Sequence, residues 1–320
     1  MKKPEPQSKT SLNPLAGDTK GSAASGKQTV GKTQRVGKTL QSDDLAAGLY
    51  LTATPIGHAQ DVSLRALSVL AGVDAIAAED TRVTSKLLTI HGIRKSLVPY
   101  NDHNAAQMRP KLLARLKSGE RIALVSDAGT PLVSDPGFKL VRAALEEGIA
   151  VHAIPGPSAV LTGLMLAGLP SDRFLFAGFL PSRAGERGAI LEELKAVRAT
   201  LIFFESAQRL AETLAQMQEV LGVRTVAVAR EMTKLHEDVR RGTLAELAAH
   251  YAGAVTPKGE VTLLVGPPHA AAADFGKVDA ALDAALEFMP LKPASDMIAA
   301  LLDMPRKEIY ARGLEKKNGR

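Results

Sequence analysis

Apolar and polar positions change rhythm repeatedly between residues 48 and 160. Short apolar runs at 49–53, 75–78, 97–98, 122–125 and 150–154 are bounded by turn formers, the pattern of buried strands. Between them the apolar residues recur at helical spacing. Leu64, Leu67 and Leu70 share a face, with Asp61 near the amino end where a carboxylate suits the helix dipole. Further helices are predicted over 83–90, up to Lys117, and over 137–148, where Phe138, Val141 and Leu145 align. Strands alternating with helices predict an α/β fold, with a doubly wound, largely parallel sheet in an amino-terminal domain over 48–160.

The pattern then changes. Strands are predicted at 174–179, 200–204, 224–229 and 260–265, with helices near 186–197 and 207–220. They suggest a second domain over 161–268 with a mixed sheet. An Ala-rich linker is expected at 269–276. Residues 278–320 read as helical, with 294–302 and 307–314 separated by Asp303-Met304-Pro305-Arg306. This end resembles a helix-turn-helix whose second helix carries Arg306, Lys307, Tyr310, Arg312 and Lys316. A packed helical hairpin with a solvated basic face fits the same pattern. Residues 1–47 are rich in Lys, Ser, Thr, Gly and Gln without periodic apolar positions, which predicts a disordered basic tail. The tail lacks the apolar core of a signal peptide, and no run is long enough to span a bilayer.

Each of the first five strands ends in polar and turn-forming residues. These are Thr54-Pro55-Ile56-Gly57-His58, Glu79-Asp80-Thr81-Arg82, Tyr100-Asn101-Asp102-His103-Asn104, Ser126-Asp127-Ala128-Gly129-Thr130-Pro131 and Pro155-Gly156-Pro157-Ser158. The carboxyl ends of parallel strands lie along one edge, so these clusters can converge on one cleft. Polar ends of the second set, Glu205-Ser206, Arg230-Glu231 and Lys258-Gly259-Glu260, can complete it or form structural ion pairs.

Composition narrows the chemistry. The absence of cysteine excludes disulfides, thiolate metal sites and thiol nucleophiles, and fits a reducing cytoplasm. A net charge of +6 is compatible with a polyanionic partner. There is no G-x-G-x-x-G fingerprint, no P-loop, and no His/carboxylate spacing that points to a metal.

The strings TPIGH, AAEDTR, DHN, LVSDAGTPLVSDPG, IPGPSA, AGLPSDRF, FLP, FFES, ARE and KGE occur in this order. Together, across 48–316, they resemble the ribosomal RNA small subunit methyltransferase I family of the tetrapyrrole-methylase-like superfamily. His58 stands where that pattern has Asn. The resemblance implies a two-domain tetrapyrrole-methylase-like fold with a cleft, S-adenosylmethionine as methyl donor, no metal, and a cytoplasmic homodimer. It implies methyl transfer to the 2′-oxygen of a cytidine in 16S rRNA, so the partner is that RNA or the small ribosomal subunit. Carried onto this sequence, the donor's methionine and ribose lie against Asp127, Ala128, Gly129 and Thr130. Pro155, Gly156, Pro157 and Ser158 flank it, and Pro55 and Gly57 lie close by.

Individual residues admit two readings each. Asp127 can accept from donor hydroxyls or an amine, or shape its own loop as an Asx-turn. Arg82 can grip a phosphate while Glu79 or Asp80 orients the target hydroxyl, or an acid–Arg pair can cap the next helix. His103 is a candidate base, or a solvated loop residue. Two other functions remain open from the residues: methylation of a small molecule such as a tetrapyrrole, and non-catalytic RNA binding.

Overall fold

The computed structural model describes residues 45–253, 256–268, 275–302 and 304–318. The tail expected over 1–47 lies outside the described residues as far as 44, and so does 269–274 of the expected linker.

Five parallel strands, β1 (Gly48–Thr52), β2 (Ala75–Ala78), β3 (Leu97–Pro99), β4 (Arg121–Val125) and β5 (Val151–Ile154), form a sheet of order β3-β2-β4-β1-β5. Both faces are covered, which is why the strands read as apolar runs and not as alternations. Tyr50, Ile76, Ala78, Ala123 and Val125 point toward Ala66, Val69 and Leu70 of α1 (Leu64–Gly72) and Leu88 of α2 (Thr81–Ile90). Their neighbours Leu49, Ala77, Ile122 and Leu124 face Leu112 and Leu116 of α3 (Ala105–Lys117) and Leu140 and Ala144 of α4 (Phe138–Glu146). The helix leaving β4 therefore lies on the opposite face from the helices leaving its neighbours β1 and β2. Chains that diverge in this way open a crevice at the strand ends.

Asp61 lies just before α1, at the end of a separate 3-10 turn, Ala59–Asp61. Ser63 caps α1, its hydroxyl accepting from Ala66 N at 3.0 Å, because its extended backbone leaves the side chain free to reach that amide.

The chain passes once from the first sheet to the second, through 155–158. Ser158 Oγ then caps α5 (Ala159–Ala167), accepting from Leu161 N at 3.4 Å. The second sheet comprises β6 (Phe174–Phe179), β7 (Thr200–Ser206), β8 (Thr225–Arg230), β9 (Asp238–Thr243) and β10 (Glu260–Val265), in the order β6-β7-β10-β8-β9. Only β6 and β7 pair in parallel; the other pairs are antiparallel. Val160, Leu164 and Ala167 of α5 pack on Ile202, Ala227, Ala229 and Leu264 from one face of this sheet. On the other face lie α6 (Ala184–Leu194), α7 (Leu210–Leu221) and α8 (Leu244–Gly253), around Leu201, Phe203, Val228 and Leu263.

At the carboxyl end, α9 (Phe275–Leu286), α10 (Leu291–Leu302) and α11 (Arg306–Asn318) enclose Val278, Leu282, Ala294, Ile298 and Ile309. Part of the basic face expected here is committed to ion pairs within the three helices. Arg312 grips both oxygens of Asp279 at 2.7 Å, Lys316 Nζ meets Asp283 at 2.5 Å, and Arg306 pairs with Asp296.

Candidate functional site

A cleft of about 760 Å³ runs between the two sheets. Its first wall is built from the strand-end loops. Thr54 and Gly129 exchange two backbone hydrogen bonds of 2.9 and 3.0 Å, which stitches the loop after β1 to the loop after β4. Gly129 has φ +78, and a Cβ there would stand 3.3 Å from Ile56 Cγ2. Thr130 Oγ1 donates to Pro157 O at 3.0 Å and fastens the loop after β5. Carboxylates tie in the loop after β2: Asp127 Oδ1 accepts from Asp80 N at 2.9 Å, and Glu79 Oε2 accepts from Asp127 N at 3.4 Å.

Glu79, Asp127, Ala128, Gly129, Thr130 and Ser158 all line this cleft. The other expected residues are placed differently. Pro157 contributes the carbonyl that anchors Thr130, and Gly156 packs its backbone against Ala53, while neither they nor Pro155 line the cleft. Pro55 and Gly57 line an adjoining cavity of about 270 Å³, which shares Asp127 and Ala128 with the cleft. Asp80 caps α2, accepting from Arg82 N at 2.8 Å, and its carboxylate is gripped by the Arg82 guanidinium at 2.6 Å. That guanidinium holds Asp80 down at about 2. The Asp80–Arg82 pair sits outside the cleft, with the Arg82 side chain 86% exposed. His103 is exposed and lines neither cavity.

The cleft is acidic. Burial pushes the Glu79 carboxyl up, and the nearby charges of Asp135, Asp127 and Asp102 add to this against the Asp127 N–H. Asp135 is raised chiefly by burial too, with Asp127 and Asp102 contributing and a Ser126 hydrogen bond opposing.

The second wall comes from Phe179, Phe204, the 205–208 turn, Met232 and the 256–262 segment. Glu205 is a structural member of it. Its side chain is 1% exposed and accepts from Ser206 N at 2.7 Å, Arg209 at 3.0 Å and Thr213 Oγ1 at 2.7 Å. Arg209 also donates to Leu180 O at 2.7 Å, so the group locks the end of β6 to the end of β7. Replacing Glu205 with Gln should lower stability by about 1–3 kcal/mol, read as a drop in melting temperature, since Arg209 loses its counter-charge. Arg230 donates to Lys258 O at 3.1 Å and holds the 256–259 backbone.

Backbone strain is concentrated here. Among the described non-glycine residues, positive φ occurs at Leu132 (75) and Ser134 (66) after β4, and at Glu231 (50) and Thr233 (64) after β8. Such conformations cost on the order of 1–3 kcal/mol each and persist where the surroundings hold them. Glu231 is held by Lys234 Nζ at 2.9 Å and Glu260 N at 3.0 Å; Thr233 Oγ1 accepts from His58 N at 3.1 Å. Gly57 fits against this second loop only without a side chain, because a Cβ would lie 2.9 Å from Met232 O. His58 caps the 3-10 turn through Nδ1, which accepts from Gln60 N at 3.3 Å.

Sequence reasoning missed Asp135, Phe179, Phe204 and Met232. Asp135 belongs to the same string as Asp127 and was within reach. Phe179 and Phe204 fall in the strings FLP and FFES, but an apolar residue there does not by its type separate a ligand wall from a core, and Met232 lies in no such string.

Comparison with known proteins agrees with this arrangement. Residues 48–248 match the Tetrapyrrole (Corrin/Porphyrin) Methylases, and residues 271–317 match the RsmI C-terminal HTH domain. A Mesorhizobium japonicum protein named ribosomal RNA small subunit methyltransferase I is 51% identical over 285 residues, 88% of this chain and 97% of that protein. One of the same name from Erythrobacter litoralis is 50% identical over 276 residues, 86% and 98% of the two chains. Among solved structures, uroporphyrin-III-C-methyltransferase from Thermus thermophilus shares the fold with a TM-score of 0.51 at 23% identity, covering 69% of this chain and 94% of that one.

Proposed function

Because this chain belongs to the ribosomal RNA small subunit methyltransferase I family, we propose that it moves the methyl group of S-adenosylmethionine to the ribose 2′-oxygen of a cytidine in 16S rRNA. We place this activity in the cytoplasm, with the small ribosomal subunit as partner and a homodimer as the working form.

The observation that carries the reading is the acidic, apolar-walled cleft. Its volume of about 760 Å³ lies within the range of small-molecule sites, roughly 300–1,000 Å³. S-adenosylmethionine carries a sulfonium and an ammonium, and Asp127 and Asp135 offer carboxylates to such cations. Phe179, Phe204 and Met232 on the opposite wall suit the flat face of an adenine. We assign Asp127, Ala128, Gly129, Thr130 and Ser158 to the donor's polar parts.

When bound, the donor supplies a methyl on an electron-poor sulfur, already a good leaving group. The protein has two tasks. It aligns the ribose oxygen behind the methyl, which by itself can account for much of the rate. It also takes up the hydroxyl proton as the oxygen–carbon bond forms, and we assign that to Glu79, whose raised pKa makes it a better base than an ordinary carboxylate. The Asp127 N–H steadies the Glu79 carboxylate for this role. Asp80 and Arg82 act from outside the cleft, Arg82 as a phosphate contact for the incoming RNA. His103 lines neither cavity, and we assign it no step.

The decisive test is transfer of labelled methyl from S-adenosylmethionine to unmodified small subunits, followed by mapping. The expected product is one cytidine methylated on its 2′-oxygen. A label on a base, or on no RNA at all, overturns the proposal.

The carboxyl-terminal helices supply the RNA grip in this scheme. Arg306, Arg312 and Lys316 are engaged in ion pairs, so the phosphate contacts fall to the exposed Lys292, Lys307 and Lys317. Changing these three to Gln should weaken rRNA binding and flatten its salt dependence by about 2 in the logarithmic slope. Thermal stability should be unchanged. Arg312→Gln should instead lower stability, because Asp279 loses its two-pronged partner and is left with Lys316 at 3.8 Å.

A further inference from the structure

We propose that the smaller cavity, about 270 Å³, seats the acceptor nucleoside of the RNA, turned out of its strand and laid against α2. The inference rests on the reading that an RNA ribose is the acceptor. It adds where that nucleoside goes and what holds it.

Two substrates that exchange a methyl must bring their reacting atoms to about 3–3.5 Å. With the donor in the larger cleft, the acceptor needs a cavity directly beside it. The smaller cavity shares the lining residues Ile56, Asp127, Ala128 and Glu260 with the cleft, so the two spaces adjoin there. Asp127 thus borders both spaces, and Glu79, the assigned base, receives a hydrogen bond from its backbone.

The outer wall of the cavity has the chemistry of a base platform. Val83, Leu87 and Ile90 fall at i, i+4 and i+7 of α2 and form one apolar stripe along it. Val83 is 39% and Ile90 65% exposed, so this stripe is not part of the core beneath. Enzymes that take a nucleotide out of its stack hold the base between aromatic or apolar side chains, and cations hold the phosphates. The cations are on the same helix: Arg82 and Lys86 are both exposed and flank the stripe. The Arg82 side chain is 86% exposed, so its guanidinium is accessible to a phosphate beside Asp80. A nucleoside in the cavity with its phosphates on Arg82 and Lys86 satisfies both features. The charge beside the stripe favours a polyanion over a second copy of this basic chain.

The experiment uses Leu87→Trp to fill the cavity and Ile90→Glu to set a negative charge at its mouth. Ile90 is exposed enough that its variant keeps the fold if Leu87→Trp does not. KM is measured for unmodified small ribosomal subunits, Kd for S-adenosylmethionine by calorimetry, and mass by light scattering. The expected result is at least a tenfold rise in KM for Leu87→Trp and a smaller rise for Ile90→Glu, with donor Kd within twofold and mass unchanged. If the parent methylates subunits and both variants keep its KM, this inference falls and the proposed function stands. If mass changes together with KM, the stripe belongs to an interface with a second copy, and the inference falls. If the parent transfers no methyl to the subunit, the function and this inference fall together.

Discussion

Glu79→Gln is expected to slow methyl transfer by about 10²–10⁴-fold, the usual worth of a general base, with donor affinity little changed. Gln keeps an oxygen that can accept from Asp127 N, so the loops stay stitched and only the proton acceptor is lost. The pH profile supplies a second readout. Glu79 is raised above the usual carboxylate value of about 4.3, so the parent's activity should fall on an acid limb displaced upward from that value. In the variant that limb should vanish. The sign for stability runs the other way. A carboxyl raised in the folded state contributes stability below its unfolded pKa and loses that contribution as pH rises through its folded pKa. Glu79→Gln should therefore raise the melting temperature at neutral pH while it removes activity. Equal losses of transfer and donor binding would make Glu79 a loop acceptor and not a base.

Asp127→Ala is expected to weaken donor binding by about 2–5 kcal/mol, or roughly 30-fold to several-thousand-fold in Kd, as removal of one member of a charge pair in a closed site does. The geometry calls for a companion variant, because Asp127 Oδ1 also accepts from Asp80 N and so fixes the start of α2. Asp127→Asn keeps that bond and removes the charge. If the charge holds the donor, calorimetry with S-adenosylmethionine should show both variants impaired. If Asn binds like the parent and only Ala fails, Asp127 shapes its loop and does not touch the donor.

The first sheet was legible because parallel strands covered on both faces are short apolar runs, and each is followed by its polar loop. That order sufficed to bring Glu79, Asp127, Gly129 and Ser158 to one cleft. Where the sequence left two readings open, geometry that spacing does not record decided between them. Asp80 caps α2 and pairs with Arg82 outside the cleft, the second of the readings offered for that cluster, while the turn aims Glu79 into the cleft. The second sheet was harder to read. β9, Asp-Val-Arg-Arg-Gly-Thr, is an edge strand whose charges discourage further pairing, so it shows no apolar alternation. The strand and the helix α8 that follows it passed unnoticed. α5 is apolar almost all round and shows no helical period.

The single passage of the chain between the sheets has a consequence for how the protein is made. All five strands of the first sheet lie in one uninterrupted stretch, 48–154, and all five of the second lie after it. On a translating ribosome, where domains fold as units and the amino-terminal one first, the sheet bearing Glu79 and Asp127 can be complete before any strand of the other has emerged. The facing wall is then added in instalments: Phe179 and the 205–208 turn emerge early, and the 256–262 segment last, on β10. Because β10 sits between β7 and β8, the second sheet cannot close until that late strand is threaded into its centre. A nascent chain stopped before residue 260 thus carries a finished acidic floor under an unfinished roof. Competence to hold a small molecule in the cleft arrives with the last strand to leave the tunnel.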